Sequence, residues 1–171
     1  MSSHLKVFAL LVFSIAALAV QASAQGRGPS TADERTRAVQ VSKSLRADPI
    51  AANVQKDREW LMLWLIEVPD ISVKLCTGFL GDLGDSKSGY PGALIATMMA
   101  SEAAFVIENP GKAKDTNAVY LAGVDGALDG YQAIHNQDAN YRLLQLDDLT
   151  QKRAEGRLAD HVRAIAKKQC K

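Results

Sequence analysis

The chain has almost no net charge, formally only +1, and contains little histidine or cysteine. Its 171 residues include 20 basic and 19 acidic side chains, three histidines and two cysteines. A charge near zero argues against nucleic acid and acidic membrane surfaces as partners, because both attract basic proteins. The sequence also has no His/Cys cluster at metal-ligand spacing, no Gly-x-Ser-x-Gly elbow and no phosphate-binding glycine loop. We therefore predict no metal, no cofactor and no catalytic residue, and favour a non-enzymatic role.

Alternating apolar and polar residues and hairpin signals are also missing, which argues against a β-sheet. Apolar residues recur instead at helical spacing between capping and breaking residues. The sequence predicts an all-α fold, a compact bundle of about six helices in a single domain over residues 31–171. Residues 25–30, which include Gly-Arg-Gly-Pro, are predicted to be a flexible linker.

The first 24 residues have the layout of a cleavable signal peptide. Lys6 precedes an uncharged apolar run from Val7 to Val20, and Ala22 and Ala24 give a small-x-small cleavage site. A membrane anchor is the alternative, but the run has 14 residues, whereas a spanning helix needs about 20. We expect an exported protein, periplasmic or secreted, with no membrane span after cleavage. Without the leader, the chain holds 19 basic and 19 acidic residues.

Export determines how the two cysteines are interpreted. In an oxidising compartment an even number of cysteines usually pairs, so the sequence predicts one intrachain disulfide between Cys76 and Cys170. Two buried free thiols or an intermolecular bridge are the alternatives. A bond within the chain would close a loop of about 95 residues and stabilise the fold by on the order of 4 to 5 kcal/mol.

Capping and breaking residues give the predicted helix bounds. Thr31 and Glu34 form a capping box, Asp48 and Asp70 are candidate N-caps, and Gly156 marks a bend in the last helical segment. The predicted helices span residues 31–46, 49–67, 70–80, 91–108, 115–135 and 146–171.

The end of the second predicted helix is unusually apolar. Every residue from Trp60 to Ile66 is apolar, so the last two turns are expected to be buried on all sides. A short apolar run is also compatible with a strand. We favour the helix because the periodic pattern that begins at Asp48-Pro49 continues into the run without a break.

Glu102 is the most unusual single residue. On a helix it shares a face with Met98, Met99, Phe105 and Val106, so its carboxylate is expected to leave water. Burial would raise its pKa, and a carboxylic acid in an apolar pocket can act as a general acid. The simpler interpretation is a structural carboxylate that is hydrogen-bonded to a partner.

Three glycines, Gly123, Gly126 and Gly130, lie within the fifth predicted helix. Each costs about 1 kcal/mol relative to alanine, so a compensating gain is expected. Close approach of a neighbouring helix is the simplest explanation, and the fourth predicted helix is the candidate neighbour. A ligand groove beside Asp125 and Asp129 is the alternative.

These observations leave two functional hypotheses. The first is an exported non-enzymatic protein that binds another protein, as an inhibitor, immunity-type factor, chaperone or envelope component. In architecture alone, a small exported helical domain with one disulfide resembles periplasmic acid-stress chaperones and certain secreted immunity proteins. The alternative is a small-molecule or hydrolytic site between the fourth and fifth predicted helices, centred on Glu102 and Asp125 and assisted by Tyr120 and Tyr131.

We predict that the exported protein begins at Gln25, because the signal peptidase accepts small side chains such as those of Ala22 and Ala24. N-terminal sequencing of exported material measures this directly. Met1 or Ser2 at the N-terminus of that material would show that the leader is retained.

Overall fold

The computed structural model describes residues 27–83 and 89–170. The predicted leader therefore lies outside the described residues. The described part is all-α, with six α-helices and no strand, and it is compact. The helices are α1 (Ala32–Ala47), α2 (Gln55–Glu67), α3 (Tyr90–Glu108), α4 (Thr116–Gln137), α5 (Leu144–Ala154) and α6 (Leu158–Gln169). Short 3-10 turns occur at Ala52–Val54, Thr77–Phe79 and Pro110–Lys112.

The antiparallel pair α3 and α4 forms the centre of the bundle. These two helices make the most extensive helix contact, and α1 packs on both of them. α3 is long and apolar enough to cross a membrane, but 67% of its most hydrophobic window is buried inside the protein. That degree of burial is typical of the core helix of a folded domain.

Two apolar clusters lie on either side of this pair. The larger one joins α3 and α4 to α5, α6 and the segment before α3, with Leu94, Leu128 and Leu146 fully buried. The smaller one joins α1 and α2 to the other face of α3 through Leu45, Leu61 and Ala103. α3 thus contributes to both clusters, which explains why nearly all of its residues are apolar.

The start of α1 follows the capping box that the sequence predicts. The backbone N–H of Glu34 donates to Thr31 Oγ1 at 3.2 Å, and the Thr31 N–H donates to Glu34 Oε2 at 2.9 Å. Asp115 caps α4 in a similar way, accepting from the Ala118 N–H at 3.2 Å. Local sequence was sufficient to locate both helix starts.

The second predicted helix is shorter than expected. Asp48 accepts from the Ile50 N–H at 3.2 Å in a local turn instead of capping a helix at Pro49, and α2 begins at Gln55. The expectation that residues 60–66 are buried on all sides is wrong. Leu63 is 60% exposed and Ile66 is 80% exposed, because α2 packs on the bundle only through the face that carries Leu61 and Trp64.

The helix predicted over residues 70–80 is absent. Residues 71–76 form an irregular segment without helix or strand, and only the 3-10 turn at Thr77–Phe79 follows them. The Asp70 carboxylate does not cap a helix, because it accepts from the Ser30 N–H at 2.7 Å and pairs with Arg35 at 2.8 Å. Partners distant in sequence therefore override the local capping signal.

The last predicted segment is two helices rather than one bent helix. α5 ends at Ala154 and α6 begins at Leu158, and between them Gly156 adopts a left-handed φ of 72°. Glycine tolerates this conformation because it has no Cβ. The predicted number of about six helices is confirmed, although one predicted helix is lost and another is divided.

The disulfide between Cys76 and Cys170 is present and intrachain. It joins the end of the irregular segment 71–76 to the end of α6, across a sequence separation of 94 residues. α6 also contacts the 3-10 turn after Cys76. The bond therefore fastens the last helix to the larger apolar cluster.

The three glycines of α4 lie against side chains of α3. A Cβ built on Gly123 would lie 2.7 Å from Glu102 Cγ, and a Cβ on Gly126 would lie 2.5 Å from Ser101 Cβ. At Gly130 the nearest atom would be Thr97 Cγ2 at 3.3 Å. The first two distances are shorter than real Cβ contacts, so the present separation of α3 and α4 requires a missing side chain at these positions.

We predict that Gly126→Ala destabilises the protein by about 1 to 3 kcal/mol, because the new methyl group overlaps Ser101 and the helices must separate. Gly92→Ala is the matched control. Gly92 is exposed in the first turn of α3 and a Cβ there would meet nothing within 4 Å, so helix propensity alone should stabilise this variant by up to about 1 kcal/mol. Urea denaturation compares the two, and equal shifts of the two variants, or a Gly126→Ala protein at least as stable as wild type, would contradict the packing explanation.

Candidate functional site

The carboxylate of Glu102 lies inside the bundle, on the face of α3 that contacts α4. Its side chain is 0% exposed. Oε2 accepts a hydrogen bond from the backbone N–H of Lys74 at 3.1 Å, whereas the buried Oε1 has no partner among the described residues. One hydrogen bond is too little to compensate an ionised carboxylate for the loss of water.

Burial raises the pKa of Glu102 from its usual value near 4.5 to about 8, and the Lys74 N–H opposes the shift only weakly. Among the described residues, no charged side chain contributes to this shift. At neutral pH the group is therefore mainly an uncharged carboxylic acid. It can donate one proton in this form, which satisfies the chemical requirement for a general acid.

Glu102 is brought together with Tyr120 but not with the other candidate pocket residues. Burial raises the pKa of the Tyr120 phenol, and the nearby Glu102 adds to this shift. On the opposite side Oε1 lies against Gly123, where a Cβ would come within 2.7 Å of it. The carboxyl group thus fits into the space that this glycine leaves free.

Asp125 belongs to a separate cluster of four charges. Arg46 of α1 binds Asp129 at 2.6 Å and Asp125 at 3.0 Å, and Arg153 of α5 binds the same two carboxylates at 2.7 and 3.3 Å. The two positive and two negative charges balance, and the cluster connects α1 and α5 to α4. Both carboxylates are engaged in charge-assisted hydrogen bonds to two guanidinium groups, which is the arrangement of a structural ion cluster.

Tyr131 also makes its hydrogen bonds away from Glu102. Its hydroxyl donates to Asp147 Oδ1 at 2.9 Å and accepts from the Leu143 N–H at 2.9 Å. Both partners lie at the start of α5. Tyr131 therefore fixes the connection between α4 and α5, and the described geometry assigns it no contact with Glu102 or Tyr120.

The sequence did not reveal the partners of these groups. Arg46 lies 79 residues from Asp125, and Lys74 lies 28 residues from Glu102. No local pattern marks either pairing, since it depends on how the helices pack. Within residues 27–83 and 89–170, no group of three or more His, Cys, Asp or Glu side chains could hold a metal ion.

A second candidate site is an apolar surface on α2, which we call the α2 patch and define as Met62, Leu63 and Ile66. Ile66 lies three positions from Leu63 and four from Met62, so its side chain neighbours both of them on this side of the helix. Beside them a groove of about 720 Å³ separates α2 from the start of α3. Its lining consists of Arg58, Glu59, Met62, Leu63, Gly89, Gly92, Ile95 and Ala96.

We predict that Glu102→Gln removes part of the pH dependence of stability. The folded protein keeps a proton that the unfolded chain releases above pH 4.5, because the folded pKa is about 8. This stabilisation is complete below the unfolded pKa and is lost as the pH rises to the folded pKa. At 1.36 kcal/mol per pKa unit, the loss is on the order of 4 kcal/mol. Identical pH profiles of wild type and variant in urea denaturation, with the disulfide intact, would contradict this account.

The variant Glu102→Ala separates a structural role from a functional one. Alanine leaves the Lys74 N–H unpaired and a cavity behind it, at a cost of roughly 1 to 3 kcal/mol or more. We expect Glu102→Ala to be less stable than Glu102→Gln at neutral pH. A Glu102→Ala protein more stable than wild type would instead indicate a strained functional acid.

Comparisons with known proteins do not assign the chain to a family. No family model, curated protein or solved structure matches it. Two features of the described residues bear on function: the buried acid at Glu102 and the exposed α2 patch.

Proposed function

We propose that this protein is an exported, non-enzymatic helical protein that acts by binding another protein through the α2 patch. The observation that carries the proposal is the exposure of Leu63 and Ile66, at 60% and 80%. Burying such a side chain completely is worth roughly 1.5 to 3 kcal/mol. A helix that leaves two of them in water beside a groove has the features of a binding surface.

The groove beside the patch suits a helical segment of the partner. Its walls are α2 and the start of α3, and Gly89 and Gly92 contribute no side chains to fill it. A Cβ built on either glycine would meet nothing within 4 Å. An amphipathic helix could place its apolar side chains there and cover Leu63 and Ile66, as in other helix-in-groove complexes.

The rim of the groove provides charges that would orient such a helix. Arg58 and Glu59 line it and carry opposite charges. Arg58 donates to the Pro49 carbonyl at 3.2 Å, and Glu59 accepts from Gln55 at 3.1 Å. Their exposed atoms leave both able to pair with a partner. Charges of this kind contribute mainly to orientation and association rate.

The disulfide supports an oxidising location, because cytosolic proteins rarely keep such bonds. Together with the predicted signal peptide, it leads us to propose a periplasmic or secreted protein. The observed pairing of Asp125 with Arg46 and Arg153 favours a structural role for that carboxylate over a hydrolytic one. An inhibitor, an immunity-type factor, a chaperone and an envelope component all fit this proposal.

We predict that Leu63→Glu and Ile66→Glu abolish binding of the partner while leaving the fold intact. A charge on the apolar face would be desolvated in the complex, so each change should weaken affinity by at least tenfold, or about 1.4 kcal/mol. Leu144→Glu is the matched control, because Leu144 is also exposed, at 88%, but lies on α5. Cross-linking in exported material identifies the partner, and titration of the purified pair gives the affinity.

Three outcomes would overturn the proposal. Equal loss of binding in the Leu144→Glu control would show that the effect is not specific to the α2 patch. Unchanged affinity of Leu63→Glu would place the interface elsewhere. A homodimer that Leu63→Glu dissociates, seen in light scattering, would identify the occupant as a second copy of this chain.

A further inference from the structure

A small cavity lies between the irregular segment before Cys76, the turn after α3 and the start of α4. Its volume is about 250 Å³. It shares no residue with the α2 patch or its groove. The lining is Ser72, Lys74, Ala113, Lys114, Thr116, Val119 and Tyr120.

The polar lining of this cavity is made of hydrogen-bond donors. Lys74 and Lys114 provide two ammonium groups, and neither forms an ion pair with a described residue. Ser72, Thr116 and Tyr120 add three hydroxyl groups. Five donor groups around one cavity and no acidic side chain in its lining indicate a negatively charged ligand.

Tyr120 contributes a fixed ring and an open hydroxyl to the cavity. Its side chain is only 6% exposed, and its ring packs on Phe79 with 5.0 Å between ring centroids. The hydroxyl lines the cavity but has no hydrogen-bond partner among the described residues. The hydroxyl is open to the cavity and is not a buried unpaired atom. It is therefore free to donate to a ligand there.

The two nearest carboxyl groups do not cancel the positive charge. Glu102 lies behind Lys74 and Tyr120, outside the lining, and burial raises its pKa to about 8, so it is mainly uncharged at neutral pH. Asp115, which caps α4 through the Ala118 N–H at 3.2 Å, lies outside the lining and could offset at most one of the two lysine charges. The cavity therefore keeps a net positive lining.

We propose that this cavity binds the phosphate group of a small molecule. Five donors match the several oxygens of a phosphate group better than the two oxygens of a carboxylate. A neighbouring groove of about 530 Å³ shares Lys74, Thr116 and Tyr120 with the cavity and extends over Cys76 and Cys170. The rest of an organic monophosphate can lie in this groove.

The proposal can be tested by calorimetric titration of the full chain with inorganic phosphate and with phenyl phosphate, at constant ionic strength set by chloride. Binding of either probe is expected, and tighter binding of phenyl phosphate would identify the neighbouring groove as the place for the ligand body. Acetate is the reference anion and should bind more weakly. If acetate and both phosphates bind equally, the cavity attracts anions in general and does not recognise phosphate. That result would overturn the proposal.

Variants with matched controls localise the site. Lys74→Gln and Lys114→Gln should each weaken phosphate binding roughly tenfold, since each removes a charge-assisted hydrogen bond. Lys112→Gln changes the net charge equally, but Lys112 lines a different cavity, so binding should be unchanged. If all three variants lose affinity equally, the lysines act only through net charge and the proposal fails.

Tyr120→Phe separates ligand binding from folding. The hydroxyl has no partner among the described residues, so its removal should leave the melting temperature unchanged and keep the ring contact with Phe79. Phosphate affinity should nevertheless fall about fivefold, as expected for one neutral hydrogen bond. Tyr141→Phe is the control, because its hydroxyl donates to the Leu83 carbonyl at 2.9 Å and should affect stability but not binding. Full phosphate affinity in Tyr120→Phe would overturn the proposed role of this hydroxyl.

Discussion

The structure depends on the close contact between α3 and α4. Gly123 and Gly126 lack the side chains that would hold the helices apart, so Glu102 and Ser101 of α3 can lie against the α4 backbone. Both apolar clusters are built outward from this pair, one toward α5 and α6 and the other toward α1 and α2. The glycines lower helix propensity, and the packing they permit compensates for that cost. The same contact removes Glu102 from water.

Much of the fold could be predicted from local sequence because helix starts have short-range causes. The capping box of Thr31 and Glu34 and the cap at Asp115 use side chains within three residues of their donors. Asp70 looks like an equally good cap, but its carboxylate binds Ser30 and Arg35, 40 and 35 residues away. The exposure of Leu63 and Ile66 could not be predicted from the sequence either, because an apolar run does not show whether a neighbouring element covers it.

In the candidate sites, too, features with a local cause could be predicted from the sequence and features that depend on distant residues could not. Helical spacing on α3 placed Glu102 on an apolar face, and its burial follows from that face. The choice between a pocket and an ion cluster for Asp125 required the positions of Arg46 and Arg153, which come from α1 and α5. Lys74 and Lys114 lie 40 residues apart, on either side of α3. Only the folded chain brings their segments to one cavity, so no sequence motif could have indicated it.

The disulfide divides the chain into a covalent ring and an arm. Residues 76–170 form the ring and include α3 to α6, while α1 and α2 lie in the arm. A force that pulls on the arm and on Cys170 would strip α1 and α2 from α3 without lengthening the ring. The bond shields about 310 Å of contour length from such a force, at roughly 3.3 Å per residue over the separation of 94 residues. Mechanical unfolding of this protein would therefore stop at a cross-linked core that exposes Ala100, Ala103 and Val106.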